Sequence, residues 1–210
     1  MKKVDWSLCL VADAESAGDR NLLEIIGQAA AGGVTLVQLR AKKLSATSFL
    51  NLGLKTAALL WRKNIPLLIN DRPDIALACG AAGVHLGQED LPLKVARRLL
   101  GKARLIGLSV SNLKEARRAE KDGADYVGLG PVFPTVSKDT SLAPLGLLGL
   151  KNICTRISLP VLAIGGINRD SAPAVIRAGA DGIAVVSAIM SAEDIGRAVK
   201  ELKRAVSTAK

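Results

Sequence analysis

The chain has 210 residues, of which 49% are hydrophobic but only 2% aromatic, so one sizeable core must be built from Ala, Val, Leu and Ile. Lys and Arg number 29 against 19 Asp and Glu, a formal charge of +10, yet two Trp, two Phe and one Tyr are too few for a base-stacking platform; a small polyanion suits this charge better than nucleic acid. The apolar runs are too short for a membrane span and no cleavable apolar leader follows Met1-Lys2-Lys3, so a cytoplasmic protein without a membrane partner is expected.

Taken in chain order, buried apolar strands are expected at residues 8–11, 34–39, 66–69, 83–86, 104–108, 126–129, 161–164 and 183–186. Helical stretches separate them, among them 22–31, 46–63, 113–121, 168–178 and 194–206. One unit recurs in "AAAGGVTLVQLR", "LACGAAGVHLG", "EKDGADYVGLG" and "IRAGADGIAVVS": a helix closed by Gly, a short link, then a strand. The expected fold is α/β, a TIM barrel of the (β/α)8 type forming a single domain over residues 1–210. An open doubly wound sheet is the weaker alternative, since no G-x-G-x-x-G follows the first strand. Cys9, Cys79 and Cys154 match neither a disulfide framework nor a metal spacing, and are expected as buried free thiols. Basic clusters such as Arg97-Arg98, Arg117-Arg118 and 200–204 are expected as solvated helix faces.

A barrel places its chemistry where strands end. Beyond the second strand come Arg40 and Lys42; beyond the third, Asn70-Asp71-Arg72; beyond the fourth, Gly87-Gln88-Glu89-Asp90; beyond the fifth, Ser109 and Ser111. The sixth strand runs into "GPVFPTVSKDTS", far more hydroxyls and charge than a plain turn needs. Arg40, Lys42, Thr135, Ser137 and Lys138 form a cationic and hydroxylic set, and Asp71 and Asp90 an anionic one. Carboxylates beside phosphate-binding cations fit a Mg²⁺ ion bridging to a diphosphate. The alternative is that both aspartates cap neighbouring turns. Gly165-Gly166 and Val186-Ser187 follow the last two strands, the usual place for a monophosphate in such a barrel. Two phosphate subsites suggest two substrates joined with loss of diphosphate.

"VQLRAK", "LLINDRPDIAL", "GVHLGQEDLP", "IGLSVSN", "GPVFPTVSK", "AIGGI" and "VVSAI" resemble, in order and spacing, the thiamine-phosphate synthase family. The resemblance implies a transferase that joins hydroxymethylpyrimidine diphosphate to thiazole phosphate, giving thiamine phosphate and diphosphate. It implies Mg²⁺ ligands at Asp71 and Asp90, and catalytic roles for Arg40, Lys42, Ser109 and Lys138. The implied substrate-binding set is Gln38, Leu39, Arg40, Ala41, Lys42, Asn70, Ser109, Thr135, Val136, Ser137, Lys138, Gly166, Val186 and Ser187.

Three places depart from the family pattern. Ala41 stands where a Glu often follows the arginine, Ala143-Pro144-Leu145-Gly146 replaces a Gly-Pro pair, and Ser111 stands where a His is common. The last separates synthases from related thiazole tautomerases, which use that His for proton transfer. His85, the only histidine, lies inside an expected strand and reads as a structural hydrogen-bonder. A tautomerase-like isomerase and a non-catalytic phosphate-ligand binder of the same fold are the rival readings.

Overall fold

The structure, a computed structural model, describes residues 4–135 and 142–209. Val136, Ser137 and Lys138 therefore lie outside the described residues. Eight parallel strands pair in sequence order and close, β8 against β1. They are β1 (Leu8–Asp13), β2 (Leu36–Arg40), β3 (Leu67–Asn70), β4 (Gly83–Leu86), β5 (Leu105–Val110), β6 (Tyr126–Leu129), β7 (Val161–Ile164) and β8 (Gly182–Val185). The helices between them are α1 (Ala14–Ala17), α2 (Leu22–Gly32), α3 (Ala46–Trp61), α4 (Pro73–Ala78), α5 (Leu93–Leu100), α6 (Leu113–Asp122), α7 (Gly146–Cys154), α8 (Ala172–Arg177), α9 (Ser187–Met190) and α10 (Ile195–Ser207). The expected (β/α)8 barrel is the observed fold.

Two apolar layers follow from the two-residue period of a strand. One set of strand side chains packs outward against the helices, including Leu8, Leu10, Val37, Leu39, Ile69, Val84 and Ile106. The alternate set fills the lumen: Cys9, Val11, Leu36, Leu68, Leu105, Tyr126, Leu162 and Ala184. The lumen is thus packed, and only the last inward positions of each strand face the rim.

The recurring Gly-x-Asp and Gly-x-Thr links have a structural task at the opposite, N-terminal end. Thr35 Oγ1 accepts from the Leu8 N–H at 3.0 Å, Asp125 Oδ2 from Ile106 at 2.7 Å, and Asp181 Oδ2 from Val161 at 2.8 Å. Each residue stands just before one strand and satisfies an orphan donor at the start of the preceding strand. That is why Val34 and Thr35 lie outside β2, although the apolar run suggests a strand from 34. Arg97 is no solvated cation. It is half-buried and donates to the carbonyls of Gly101, Arg104 and Gly123 and to Asp125, at 3.1, 2.7, 3.1 and 2.5 Å.

Helix ends follow local chemistry. Asn21, Ser45, Asn112 and Asp194 each accept a first-turn N–H. The segment from 168 is helical only from Ala172, because the Asn168 side chain accepts from Asp170 and Ser171 and holds a turn ahead of Pro173. Cys9 and Cys79 are buried free thiols as expected, whereas Cys154 is only half-buried. No helix among the described residues is long and apolar enough to cross a membrane.

Gly107 shows how tightly the lumen is filled. It pairs in register with Tyr126, and a Cβ there would overlap the phenol ring. Gly107→Ala is expected to lower stability by at least the ~1–3 kcal/mol typical of overpacking. Urea unfolding measures this, and an unchanged midpoint would contradict the packing account.

Candidate active site

Strand alternation turns Gln38 and Arg40 of β2 toward the lumen and rim, with Asn70 at the end of β3 and Ser109 near the end of β5. Gln38 and Asn70 are buried, and Gln38 Nε2 donates to Asn70 Oδ1 at 2.6 Å. This leaves Gln38 Oε1 as an acceptor beside Asn70 Nδ2 as a donor, a pair matched to a planar ring carrying an amino group next to a ring nitrogen.

The side chains of Leu39 and Ala41 do not face the rim. They are 0% and 4% exposed and pack in the layer between strands and helices. The same alternation that turns Gln38 and Arg40 inward turns these two outward, so the stretch 38–42 splits between faces.

Arg40 has partners that its motif does not announce. Nη1 donates to Asp13 Oδ1 at 2.8 Å and to Glu15 Oε2 at 3.3 Å. Asp13 is the register neighbour of Arg40 across β1 and β2, and is 4% exposed. Its other oxygen accepts from Ser16 Oγ at 2.7 Å, while Glu15 Oε1 accepts from the Lys43 N–H at 3.1 Å. The guanidinium is therefore oriented before any ligand arrives, and part of its charge is balanced. The one signal in the sequence is that Asp13 ends a strand, the position barrels reserve for function.

The carboxylate pair is brought together. Asp71 sits just beyond β3 in the left-handed region, at φ 65°, and its N–H donates to the carbonyl of His85 at 2.8 Å. Asp90 Oδ2 accepts from the Gly87 N–H at 2.6 Å, closing the loop after β4. Asp90 thus does cap a turn, as the structural alternative holds, and it also reaches Asp71. Burial first, then the hydrogen bond and the charge of Asp90, push the Asp71 carboxyl up to about 6, against the opposing pull of Lys42. Lys42 Nζ stands 3.5 Å from Asp71 Oδ2 and is half-exposed. Two neighbouring carboxyl groups beside a lysine are a hard-oxygen donor set of the kind that a divalent cation takes. Among the described residues no cluster of three or more metal-type ligands occurs.

On the far side, Gly130–Thr135 is stitched along two edges. Val132 and Phe133 donate to the carbonyls of Ile164 and Gly165 at 2.9 and 3.0 Å, and Leu145 and Gly146 donate back to Pro131 and Val132, both at 2.9 Å. The Ala143-Pro144-Leu145-Gly146 variation therefore still closes onto the rim. Thr135 is half-buried where the described stretch ends. Gly165 and Gly166 have φ 99° and 65°. A Cβ on Gly166 would stand 2.5 Å from the Pro134 carbonyl oxygen and 2.7 Å from Phe133 Cβ. The glycine pair is thus required by its conformation and by the close approach of this loop, in addition to any ligand. Gly166 and Ser187 are both exposed on the rim, and Val186 is half-buried. α9 begins at Ser187 but has only four residues. Its macrodipole is slight, and the Ile189 and Met190 N–H groups donate to the Val186 carbonyl, so what it offers is the N–H groups of Ser187 and Ala188.

His85 lies deeper, 7% exposed, between Tyr126 Oη at 2.7 Å and Ser109 Oγ at 2.9 Å. Ser111, at the position of the family's common histidine, spends its N–H and hydroxyl on Glu115 Oε2 at 2.7 and 3.0 Å.

A closed (β/α)8 barrel with amides, cations and a carboxylate pair gathered at the C-terminal ends of its strands falls in the class of barrels that bind and transform ligands at that end. Within that class, the family described as thiamine monophosphate synthase matches residues 8–189. The chain is 48% identical over 204 residues to a thiamine-phosphate synthase of Chloroflexus aurantiacus, covering 97% of this chain and 94% of that protein. It is also 48% identical over 199 residues to a thiamine-phosphate synthase of Clostridium novyi, covering 95% and 98%. Among solved structures, it is similar to a thiamine phosphate pyrophosphorylase from Pyrococcus furiosus, with TM-score 0.90, 39% identity and 98% of both chains covered. A 3-hexulose-6-phosphate synthase, at TM-score 0.68 and 21% identity, shares the fold. The chain belongs to the thiamine monophosphate synthase family.

The Asp71–Asp90 pair makes a stability prediction. The Asp71 carboxyl is at about 6 when folded and near its ordinary 3.8 when unfolded, so between these values the folded protein binds more protons. Metal-free stability should therefore fall as pH rises through that window and level off above it. Asp71→Asn, which keeps size and tolerates positive φ, should stabilise the metal-free protein at pH 7, with the gain vanishing below about pH 4. Mg²⁺ should stabilise the parent and not the variant. Thermal melts across pH, with and without Mg²⁺, measure both; a gain that persists at low pH would contradict the shared proton.

Proposed function

We propose that the chain is a thiamine-phosphate synthase, a transferase that joins hydroxymethylpyrimidine diphosphate to thiazole phosphate with release of diphosphate. The observation that carries this reading is the carboxylate pair Asp71–Asp90 beneath Lys42, on a chain so similar to named synthases over nearly its whole length. A biosynthetic role of this kind suits a cytoplasmic enzyme.

Roles follow from chemistry. The Gln38–Asn70 amides present an acceptor and a donor to the amino-substituted edge of the pyrimidine. Arg40, Lys42 and Lys138 would bind the diphosphate, and Asp71 and Asp90 would hold Mg²⁺. Bound there, the metal supplies charge neutralisation for the phosphate oxygens. The bond between the pyrimidine methylene carbon and the diphosphate oxygen breaks, and the bonding electrons leave with the diphosphate. The electron-rich aminopyrimidine bears the resulting positive charge until the thiazole nitrogen donates its lone pair to that carbon. The nitrogen carries no proton to lose, so no general base is needed. Catalysis is then positioning plus electrostatic stabilisation of the leaving group. Thr135, Ser137, Gly166 and the Val186–Ser187 turn receive the thiazole phosphate.

A tautomerase reading fits less well, because Ser111 is committed to Glu115 and His85 lies buried beneath Ser109. The test of the main reading is turnover. Both substrates with Mg²⁺ should yield thiamine phosphate and diphosphate; binding without product would point to a non-catalytic binder.

The two-subsite arrangement is tested separately. Ser187→Asp places a carboxylate among the first-turn N–H groups of α9 and should weaken the monophosphate substrate by about tenfold or more, with the diphosphate substrate little changed. Separate binding titrations distinguish these, and equal weakening of both would contradict the map.

A further inference from the structure

Below Ser109 the lumen holds a file of three polar side chains from three strands. Tyr126 Oη lies 2.7 Å from His85 Nδ1, and His85 Nε2 lies 2.9 Å from Ser109 Oγ. Tyr126 is 1% exposed and His85 7%, so bulk water does not arrange these protons. Two glycines make the room: a Cβ on Gly107 would overlap the phenol, and one on Gly128 would stand 2.9 Å from His85 Cε1. Neither glycine has a positive φ, so space and not backbone conformation excludes a side chain there. At the upper end, Gln88 Nε2 donates to the Ser109 carbonyl at 2.6 Å and holds its backbone.

The direction of the chain follows from its closed end. Among the described residues, His85 Nδ1 is the one hydrogen-bond partner of Tyr126 Oη. Burial raises the phenol well above its ordinary range, so it keeps its proton. A neutral imidazole has one donor and one acceptor nitrogen. Were Nδ1 protonated, the phenolic hydrogen would be buried without an acceptor, a loss of about 1–3 kcal/mol. With Tyr126 donating to Nδ1, the imidazole hydrogen sits on Nε2 and Ser109 Oγ accepts it. The hydroxyl hydrogen of Ser109 is then turned away from His85, toward the rim.

We propose that Tyr126, acting through His85, makes Ser109 an obligate hydrogen-bond donor to an oxygen of the leaving diphosphate, with Tyr126 and His85 as positioning residues. A hydroxyl free to rotate could offer its lone pairs to the ligand as readily as its hydrogen; one that already accepts from an imidazole is set as a donor toward growing negative charge. The identity of the ligand oxygen rests on the transferase reading above; the direction of the relay does not.

The chain has a single histidine, so nitrogen-15 labelling of histidine reports one imidazole and needs no assignment. In the parent protein the spectrum should show a neutral ring with Nε2 protonated and Nδ1 bare. Tyr126→Phe should erode this into a mixture of tautomers. In single-turnover kinetics Ser109→Ala should be slowed by roughly 10²-fold. His85→Asn, whose amide reaches only the Nδ1 position, should fall about as far. His85→Gln, whose amide reaches the Nε2 position, should stay within about tenfold of the parent. Combining His85→Asn with Ser109→Ala should add little to Ser109→Ala alone, because both remove the same donor. A protonated Nδ1 in the parent, as the other tautomer or as imidazolium, would overturn the proposal. So would a His85→Asn variant that keeps full rate where Ser109→Ala loses it. A parent that forms no product would overturn the transferase reading, while the spectrum would still decide the relay.

Discussion

Eight short parallel strands closed on themselves share one lumen, and every second side chain of every strand must fit inside it. Large apolar groups fill its lower part, with Trp6 against Tyr126 at 4.8 Å between ring centroids. Polar groups are tolerated only where they find partners, which happens in the upper part: Gln38 with Asn70, His85 between Tyr126 and Ser109, Arg40 with Asp13. The site is the open top of a packed column. Its first polar groups are fixed by the same packing that stabilises the barrel.

A consequence is that the rim is largely pre-organised. Arg40 is held by two carboxylates, Asn70 holds Gln38, and Asp71 and Asp90 share a hydrogen bond under Lys42. Reorganisation on binding is small where groups are already placed, which favours electrostatic stabilisation of a leaving group over ground-state grip. The balance of charges matters as well. Asp13 and Glu15 offset Arg40, so the attraction for a polyanion depends on the surrounding lysines and on how the charge of Asp71 and Asp90 is balanced.

The opposite end of the barrel does a different job with similar residues. Thr35, Asp125 and Asp181 satisfy strand-starting N–H groups, and Arg97 ties together the links that lead into β5 and β6. Carboxylates there accept backbone hydrogen bonds; at the rim burial and the neighbouring Asp90 raise the Asp71 carboxyl to about 6. The burial of each and the partners within reach decide which role an aspartate takes.

The eight-fold repetition, the parallel sheet and the end at which function sits were legible in the residues, because strand and helix periods and closing glycines are local properties. The rim position of Arg40, Lys42, Asp71, Asp90, Ser109 and the glycine pair after β7 was legible too, since each lies at or within a few residues of the C-terminal end of a strand. The stretch 38–42 was legible as a motif but not as a surface: only the pleat within a closed barrel sends Gln38 and Arg40 inward and buries Leu39 and Ala41 among the helices. Pairing across strands was not legible at all. Asp13 meets Arg40 from a strand 27 residues away, and His85 meets Tyr126 across 41 residues. Such contacts depend on barrel register and on the space left by Gly107 and Gly128. Local sequence determines which groups stand at the end of which strand; the closed tertiary structure decides which of them touch, because touching is set by register and volume across the lumen.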